Sequence, residues 1–182
     1  FGIDTRKLTK IIREKGTDRS RFFRGEVDKY TWVDVGSSFL PSELNAAFLL
    51  AQFEQSGEIS RRRLSLWDRY YEAFGGLEAA ERIRRPVIPE GAEHNAHMFY
   101  LLTADEDERD ALIRYAQGCG VHLVFHYVPL HSSPKGRVCG RVSGAMSVTE
   151  RVAGRLVRLP LYHILQEDEQ EQVIETILSF YR

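Results

Sequence analysis

The sequence predicts an α+β fold, a small β-sheet with helices packed on one of its faces. Three observations support this prediction. A long helical pattern follows Pro41, strand-like runs occupy 97–102 and 121–127, and amphipathic helical patterns lie between and after those runs. Helices and strands that each carry one apolar side must bury that side against another element, and a sheet covered by helices achieves this.

Composition excludes several classes of protein. The 182 residues carry a formal net charge of −1, so there is no bias towards nucleic acid as a partner. Cys119 and Cys139 form no CxxC pair, which excludes a disulfide framework and a thiolate zinc cluster and favours a reducing, cytoplasmic location. No apolar run reaches the roughly 18 residues of a membrane span, so we expect no membrane partner.

The N-terminal sequence FGIDTRKLTK carries neither an initiator methionine nor the apolar core of a signal peptide. We therefore expect the chain to start internally, as a fragment, a processed chain or a shortened reading frame. Residues 4–15 predict a short amphipathic helix, with Asp4 as a possible N-cap and Gly16 at its end. The segment 16–35 is polar and aromatic without a period, which predicts a loop, and a loop of that length is usually a binding segment.

The longest helix is predicted to begin at Ser42, which is a favourable N-cap residue. Residues 44–53 are apolar on all sides of this helix, which indicates that it is buried, or that it self-associates where nothing covers it. An amphipathic pattern follows and ends at Gly75-Gly76. A continuous helix over 42–74 would be about 50 Å long at 1.5 Å per residue, long enough to connect two domains.

The next region predicts a strand, a helix and a second strand. The strand at 97–102 is followed by a helix that begins at Asp105 or Asp107 and ends at Gly118. The second strand occupies 121–127, where the apolar period changes back to that of a strand.

The C-terminal third predicts a loop and two helices. Gly, Ser, Pro and Arg fill 132–146 and indicate a mobile loop. Ser147 and Glu150 match a capping box, and Leu156 would lie on the apolar face of the helix that they begin. Acidic residues at 167–169 suit the N-terminus of the last helix, because they complement its dipole.

Two histidines and a tyrosine follow the second predicted strand. In the segment FHYVPLH at 125–131, the side chains of His126, Tyr127 and His131 would lie at the rim of the sheet, within reach of a hydroxyl-rich or phosphate-bearing ligand. The alternative is that the histidines only hydrogen-bond their own turn. On a strand His122 and His126 would lie about 13 Å apart, too far to share a metal ion, so we expect no metal site.

Further candidates precede the long helix. Lys29 and Tyr30 lie in the aperiodic segment, where Lys29 is either a phosphate contact or a solvated charge. Gly36-Ser37-Ser38 offers hydroxyls and backbone N–H groups close to a helix N-terminus, which is a natural anion site. The alternative for these serines is simple capping of the helix.

Several blocks of the chain, in this order, resemble the sugar-nucleotide aminotransferases of the DegT/DnrJ/EryC1 type, which use pyridoxal phosphate. The blocks are REKGTDRSRFFRGEVDKYTWVDVGSSFLPSELNAAFLLAQFE at 13–54, NAHMFY at 95–100, FHYVPLH at 125–131 and RLPLY at 158–162. The resemblance implies the C-terminal half of a fold-type I aminotransferase. That half would comprise the end of the large domain with the active-site loop (1–41), the long connecting helix (42–76) and the small C-terminal α+β domain (77–182).

The resemblance also implies roles for single residues. Ser38 stands where relatives have an asparagine that reaches the cofactor phosphate of the neighbouring subunit, and Leu40 stands where they have an arginine. The branch that forms a dideoxygalactosamine is similarly serine-rich here, so we expect Ser38 to bind the cofactor. The residues expected to bind substrate are Lys29, Tyr30, His126, Tyr127 and His131.

The activity implied by the resemblance transfers an amino group from glutamate to a nucleotide-linked 4-keto-6-deoxy sugar. Such a step belongs to the synthesis of surface polysaccharides of the enterobacterial-antigen type, and the enzyme would be a homodimer. In this family a lysine forms a Schiff base with the cofactor. That lysine lies in a Ser-x-x-Lys-like sequence context, and no lysine of this chain does. The lysines of the chain are Lys7, Lys10, Lys15, Lys29 and Lys135.

We therefore expect no catalytic residue in this chain and no covalent attachment of pyridoxal phosphate to the chain alone. The alternative function is that of a non-catalytic, truncated relative that acts as a dimerisation or sugar-nucleotide-binding module.

Overall fold

The computed structural model describes residues 5–182, and the chain divides into two compact units between Ser56 and Gly57. Asp4, the possible N-cap of the first helix, lies outside the described residues. Within the described part of the chain, no helix is both long enough and apolar enough to cross a membrane.

In its described residues, the first unit contains three helices and two isolated β-bridges. The helices are α1 (Thr5–Arg13), α2 (Arg19–Phe23) and α3 (Glu43–Glu54). The bridges pair Glu14 with Ser38 and Thr17 with Trp32, so the segment after α1 runs beside the segment before α3. The prediction that 16–35 is mostly loop is confirmed, and the exception is α2, which is only five residues long and too short to show a period.

The start of α3 confirms the predicted N-cap, because the Ser42 hydroxyl accepts a hydrogen bond from the Asn45 backbone N–H at 3.2 Å. The helix does not continue to residue 74. It ends at Glu54, and α4 (Ser56–Ala73) begins after Gln55. The apolar and amphipathic parts of the predicted long helix are therefore two separate helices.

The second unit contains most of the secondary structure. After α4 its elements are α5 (Gly75–Ala79), β1 (Phe99–Leu102), α6 (Glu106–Gly118), β2 (Val124–Phe125), a 3-10 helix (Leu130–Ser132), α7 (Pro134–Cys139), α8 (Ser147–Arg155), β3 (Leu156–Leu159) and α9 (Glu167–Phe180). Gly75-Gly76 does not end the helical region, since α5 begins there. The predicted strand at 121–127 is wrong in length, because only the two residues of β2 pair.

The sheet is antiparallel in the order β1-β3-β2, with β3 in the centre. Sequence analysis placed Leu156 in a helix, and this prediction is wrong, because Leu156 is the first residue of β3 and pairs with Leu102. The reason is tertiary: a four-residue segment that two neighbouring strands hydrogen-bond from both sides is more stable as a strand than as a helix end.

The core of the second unit lies between one face of the sheet and its helices. Phe99 and Leu101 of β1 and Val157 and Leu159 of β3 point into it. Helices α4, α6 and α9 cover this face with the buried side chains of Trp67, Tyr70, Phe74, Leu112, Ala116, Val173, Ile174 and Ile177. The predicted α+β class, a small sheet with helices on one face, is confirmed.

Two predicted helix starts differ from the structure. Ser147 and Glu150 form no capping box, since Met146 is the N-cap of α8 and its side chain makes no capping hydrogen bond. A capping box is present instead at α9, between Gln166 and Glu169. Helix α7 lies in the predicted loop 132–146, and the Ser133 hydroxyl caps it by accepting from the Gly136 backbone N–H.

Candidate functional site

The first unit contains a cleft of about 620 Å³ beside the N-terminus of α3. Its shape depends on two backbone segments that approach each other without side chains between them. A Cβ added to Gly16 would lie 1.8 Å from the Asp34 carbonyl oxygen, and one added to Gly36 would lie 1.9 Å from the Gly16 nitrogen. Only glycine permits this approach, which brings the ends of α1 and α3 to the same cleft.

Positive side chains dominate the cleft. Arg13, Lys15 and Arg19 line it together with Tyr30 and Ser38. The guanidinium of Arg19 lies 5.9 Å from the ring centroid of Tyr30, close enough for a cation–π contact. These groups can neutralise an anion, and the N-terminal end of α3 adds its partial positive charge.

Two carboxylates reduce this positive charge. Glu14 and Glu43 also line the cleft. Glu14 is already engaged, because its carboxylate accepts from the Ser20 backbone N–H at 3.1 Å and from Arg13 at 3.3 Å. In the part of the chain that the structure describes, Lys15 and Arg19 form no ion pair, so both remain available to a ligand.

The structure brings two of the predicted residues of this unit to the cleft and leaves one out. Tyr30 and Ser38 line it, whereas Lys29 is exposed and is not part of the lining. Sequence reasoning missed Arg13, Lys15 and Arg19 as site residues. All three lie within three residues of Gly16, but what brings them to the cleft is the contact of Gly16 with Asp34 and Gly36, which no local pattern shows.

The second unit contains a cleft of about 470 Å³ at the end of β2. His126 and Tyr127 line it, as the sequence predicted for the rim of the sheet, and Glu150 lines it from α8. His131 is tied to the same cleft, because its Nε2 lies 3.1 Å from Oε1 of Glu150. The three predicted substrate residues of this unit are therefore gathered at one place.

The ring of His126 has an unsatisfied nitrogen. Its Nδ1 is buried and has no hydrogen-bond partner, while the ring packs edge-on against Tyr127 with 5.2 Å between centroids. A buried polar atom without a hydrogen-bond partner lowers stability. A ligand that provides a hydrogen bond to this Nδ1 would therefore be favoured. Neither His126 nor His131 hydrogen-bonds its own turn, which removes the support for the simpler interpretation of these histidines.

Acidic groups at this cleft are already partly neutralised. The largely buried Arg109 donates to Glu106 at 3.0 Å and to Asp110 at 2.7 Å, and all three line the cleft. Glu150 hydrogen-bonds His131, and the three carboxylates of the lining face a single guanidinium, so the cleft is negative overall. This charge favours an uncharged, hydroxyl-bearing group of a ligand over a phosphate. Among the residues that the structure describes, no cluster of three or more His, Cys, Asp or Glu could hold a metal ion.

The residues of the first cleft fit one end of pyridoxal phosphate. A phosphate needs cations and backbone N–H groups, and Lys15, Arg19 and the α3 N-terminus supply them. Ser38 can add its hydroxyl to this set. A carboxylate for the pyridine nitrogen cannot be assigned from this cleft, because Glu14 is already bonded to Ser20 and Arg13.

Comparison with known proteins places the chain among sugar aminotransferases. The model of the DegT/DnrJ/EryC1/StrS aminotransferase family matches residues 4–178. A dTDP-3-amino-3,4,6-trideoxy-alpha-D-glucose transaminase from Micromonospora megalomicea subsp. nigra is 29% identical over 161 residues, which are 87% of this chain and 42% of that protein. A pleiotropic regulatory protein from Geobacillus stearothermophilus is 28% identical over 163 residues, again 87% of this chain and 42% of that protein.

A solved structure shares the fold. The structure of S. venezuelae DesV in complex with a ketimine intermediate superposes with a TM-score of 0.78 at 24% identity, covering 94% of this chain and 43% of that one. The chain thus spans less than half the length of the relatives and structures that it matches.

Proposed function

Because the chain belongs to the DegT/DnrJ/EryC1/StrS aminotransferase family, we propose that it is the C-terminal half of a pyridoxal-phosphate-dependent sugar-nucleotide aminotransferase. The reaction would move an amino group from glutamate to a nucleotide-linked 4-keto-6-deoxy sugar, in the cytoplasm, for surface-polysaccharide synthesis. The observation that carries the proposal is the family match across residues 4–178.

The first cleft would hold the cofactor phosphate. Lys15 and Arg19 would neutralise its charge, and Ser38 would donate a hydrogen bond to it. When bound, pyridoxal phosphate supplies the electron sink of the reaction, while the protein supplies binding and orientation. Tyr30, stacked against Arg19, would hold that guanidinium in place.

The second cleft would bind the sugar nucleotide. His126, with its unpaired Nδ1, and Tyr127 would hydrogen-bond hydroxyl groups of the sugar. His131 would act through Glu150, whose carboxylate it holds at 3.1 Å. Lys29 and Tyr30 belong to the first unit, and we propose that they contact substrate at the surface of that unit, separately from this cleft.

We further propose that the chain forms a homodimer through α3. No residue of this helix is buried, although it carries five large apolar side chains that are 49–83% exposed. A second copy can cover the same surface with the same apolar side chains, which is how a twofold dimer buries a self-complementary patch. The division into large-domain end (1–41), connecting segment (42–76) and small domain (77–182) remains part of this proposal, with the connecting segment formed by α3, α4 and the start of α5 and not by one helix.

Titration of the chain with pyridoxamine phosphate and with a dTDP-sugar tests the two clefts separately. Arg19→Gln should weaken binding of pyridoxamine phosphate about tenfold, the cost of one charge-assisted contact, and leave the dTDP-sugar unaffected. His126→Phe should do the reverse. The control Arg114→Gln, on the exposed side of α6, should change neither. Binding of neither ligand to the wild-type chain would overturn both site assignments.

A second candidate function is that of a non-catalytic module for dimerisation or sugar-nucleotide binding. Similarity to a protein named as a pleiotropic regulator favours it. Treatment with pyridoxal phosphate and borohydride tests the premise that both functions share, namely that this chain alone carries no Schiff-base lysine. We expect no stable adduct on any lysine of this chain alone. An adduct that maps to one lysine, such as Lys15 in the first cleft, would contradict this expectation and favour a chain that is catalytic by itself.

A further inference from the structure

A second cleft of the second unit, of about 440 Å³, has no role in the function proposed above. It shares no residue with the His126 cleft. Its volume lies within the range of small-molecule sites. The residues that matter here are His122, Val124, Arg158, Tyr162, Glu169 and Gln172.

The floor of this cleft is apolar. Leu159, Leu165 and Val173 line it and are almost fully buried, and Val121 and Val124 add further apolar surface. Such a floor favours a ligand with an apolar body, because each buried methylene contributes about 0.8 kcal/mol.

Arg158 provides a cation that is not fully bonded. Val124 and Arg158 pair across β2 and β3, on the sheet face opposite to the core residue Val157. The Nε of Arg158 is buried without a hydrogen-bond partner, and one terminal nitrogen makes a long contact of 3.5 Å with the Phe125 carbonyl oxygen. The Tyr127 ring lies 5.9 Å from the guanidinium. Among the described residues no carboxylate forms an ion pair with Arg158.

One acidic residue limits the charge of the ligand. Glu169 lines the cleft, and its carboxylate accepts a hydrogen bond from the Gln166 backbone N–H at 2.9 Å as part of the cap of α9. This negative charge opposes a doubly charged phosphate but leaves one negative charge on the ligand compatible with Arg158.

We propose that this cleft binds a small monoanionic carboxylate with an apolar body, whose carboxylate group Arg158 holds. The amide of Gln172 and the hydroxyl of Tyr162 lie in the same lining and supply further polar contacts. The apolar part of the ligand rests on Val124, which shares the sheet face of Arg158. This site uses none of the residues assigned to the cofactor or to the sugar nucleotide.

The test compares two probes of nearly identical shape, 3-phenylpropionate and its neutral amide, 3-phenylpropanamide. Two-dimensional NMR of the full chain should show shifts of Val121, Val124 and the Gln172 side-chain amide with the carboxylate. The amide should bind at least about tenfold more weakly, because it lacks the charge that pairs with Arg158. Equal binding of the two probes, or shifts confined to α3, would overturn the proposal.

Two variants complete the test. Arg158→Gln should lower the affinity for 3-phenylpropionate about tenfold and abolish the preference over the amide. Arg114→Gln, which removes an exposed arginine on α6, should leave both unchanged. Retention of the preference in Arg158→Gln would overturn the assignment of Arg158. If the NMR spectrum of this variant shows that it is unfolded, the comparison of the two probes on the wild-type chain decides the question alone.

Discussion

Helices α3 and α4 are neighbours in sequence, and both are rich in large apolar residues, yet they differ completely in burial. In α4, Leu66, Trp67 and Tyr70 are at most 5% exposed, whereas Leu44 and Phe48 of α3 are 83% and 70% exposed. Apolar sequence therefore shows which segments need cover, but the covering surface comes from tertiary structure. Other elements of the second unit cover α4, whereas no described element of the first unit covers α3.

The folds of the two units are consequently stabilised by different interactions. The second unit has a continuous apolar core, which is the main source of stability in small domains. In the first unit the described buried residues include Gly16 and Asp18, and the carboxylate of Asp18 accepts from the Thr31 backbone N–H at 2.7 Å. Local hydrogen bonds and a close backbone approach order this unit, so it should be the less stable of the two.

The largest effect is expected from Phe99→Ala in the core of the second unit. Phe99 is fully buried and contacts the rings of Trp67, Tyr70 and Phe74, so truncation should lower the free energy of unfolding by about 3–5 kcal/mol. The matched variant Phe48→Ala in α3 should change it by less than about 0.5 kcal/mol, when both proteins are compared at a concentration at which they are monomeric. Urea unfolding followed by tryptophan fluorescence measures both, since Trp67 reports on the core. Similar losses in the two variants would contradict the contrast between the units.

The second prediction concerns the uncovered surface of α3. Phe48→Glu should raise the dissociation constant of the self-associated chain at least about tenfold, because a buried phenylalanine contributes roughly 1.5–3 kcal/mol. Val148→Glu, at a 63% exposed apolar position of α8, is the control and should leave association unchanged. Sedimentation velocity over a range of concentrations makes the measurement. A wild-type chain that stays monomeric at high concentration would contradict the proposed dimer.

The third prediction is a pH dependence of the stability of the second unit. The pKa of Glu78 is lowered below its ordinary value of 4.5, chiefly because its carboxylate accepts the Arg85 backbone N–H and also the Arg85 side chain. A carboxyl whose pKa is lowered by folding stabilises the protein above its unfolded pKa, and this stability is lost as the pH falls through the folded pKa. Glu78→Gln should therefore cost about 1–2 kcal/mol near neutral pH and less below pH ~4.

Chemical denaturation at a series of pH values tests this third prediction. The stability difference between wild type and Glu78→Gln should shrink as the pH falls. Glu72→Gln, at an exposed position on α4, is the control and should show a constant, small difference. A difference for Glu78→Gln that does not depend on pH would contradict the role of its charge.

The smallest effects are expected from two helix caps. Asp105 accepts from the Glu108 backbone N–H at 2.9 Å and Ser42 accepts from the Asn45 backbone N–H at 3.2 Å, so each alanine substitution should cost about 1 kcal/mol locally. Because α6 packs into the core, Asp105→Ala should lower the stability of the whole second unit. Ser42→Ala should only increase amide exchange within α3. Hydrogen exchange measured by NMR distinguishes the two outcomes. Global destabilisation by Ser42→Ala would contradict the expectation that its effect is limited to α3.

Sequence patterns predicted well wherever the cause was local. The caps at Ser42 and Asp105 depend on a side chain and a backbone group three residues apart, and both were found. The patterns failed at Leu156, where β1 and β2 decide the conformation by pairing from both sides. They failed again at Glu150. The sequence predicted a capping box between Ser147 and Glu150, whereas the Glu150 carboxylate hydrogen-bonds His131.

The candidate site was predictable to a similar degree. The histidines of FHYVPLH could be placed at the end of a strand from sequence alone, because strand direction and a proline turn fix them. The cations Lys15 and Arg19 could not, since their position depends on the contact between Gly16 and a segment about 20 residues further along the chain. No short-range pattern encodes such a contact.

The backbone at Lys15 and Gly16 has a practical consequence. Both residues have positive φ, 64° and 74°, so the direction of the Lys15 side chain is set by the turn and not by packing around it. Asparagine tolerates the same left-handed conformation. Exchange of Lys15 for asparagine would therefore remove one positive charge from the cleft of the first unit and keep its backbone conformation. The electrostatic contribution of Lys15 can thus be measured without a change in the turn.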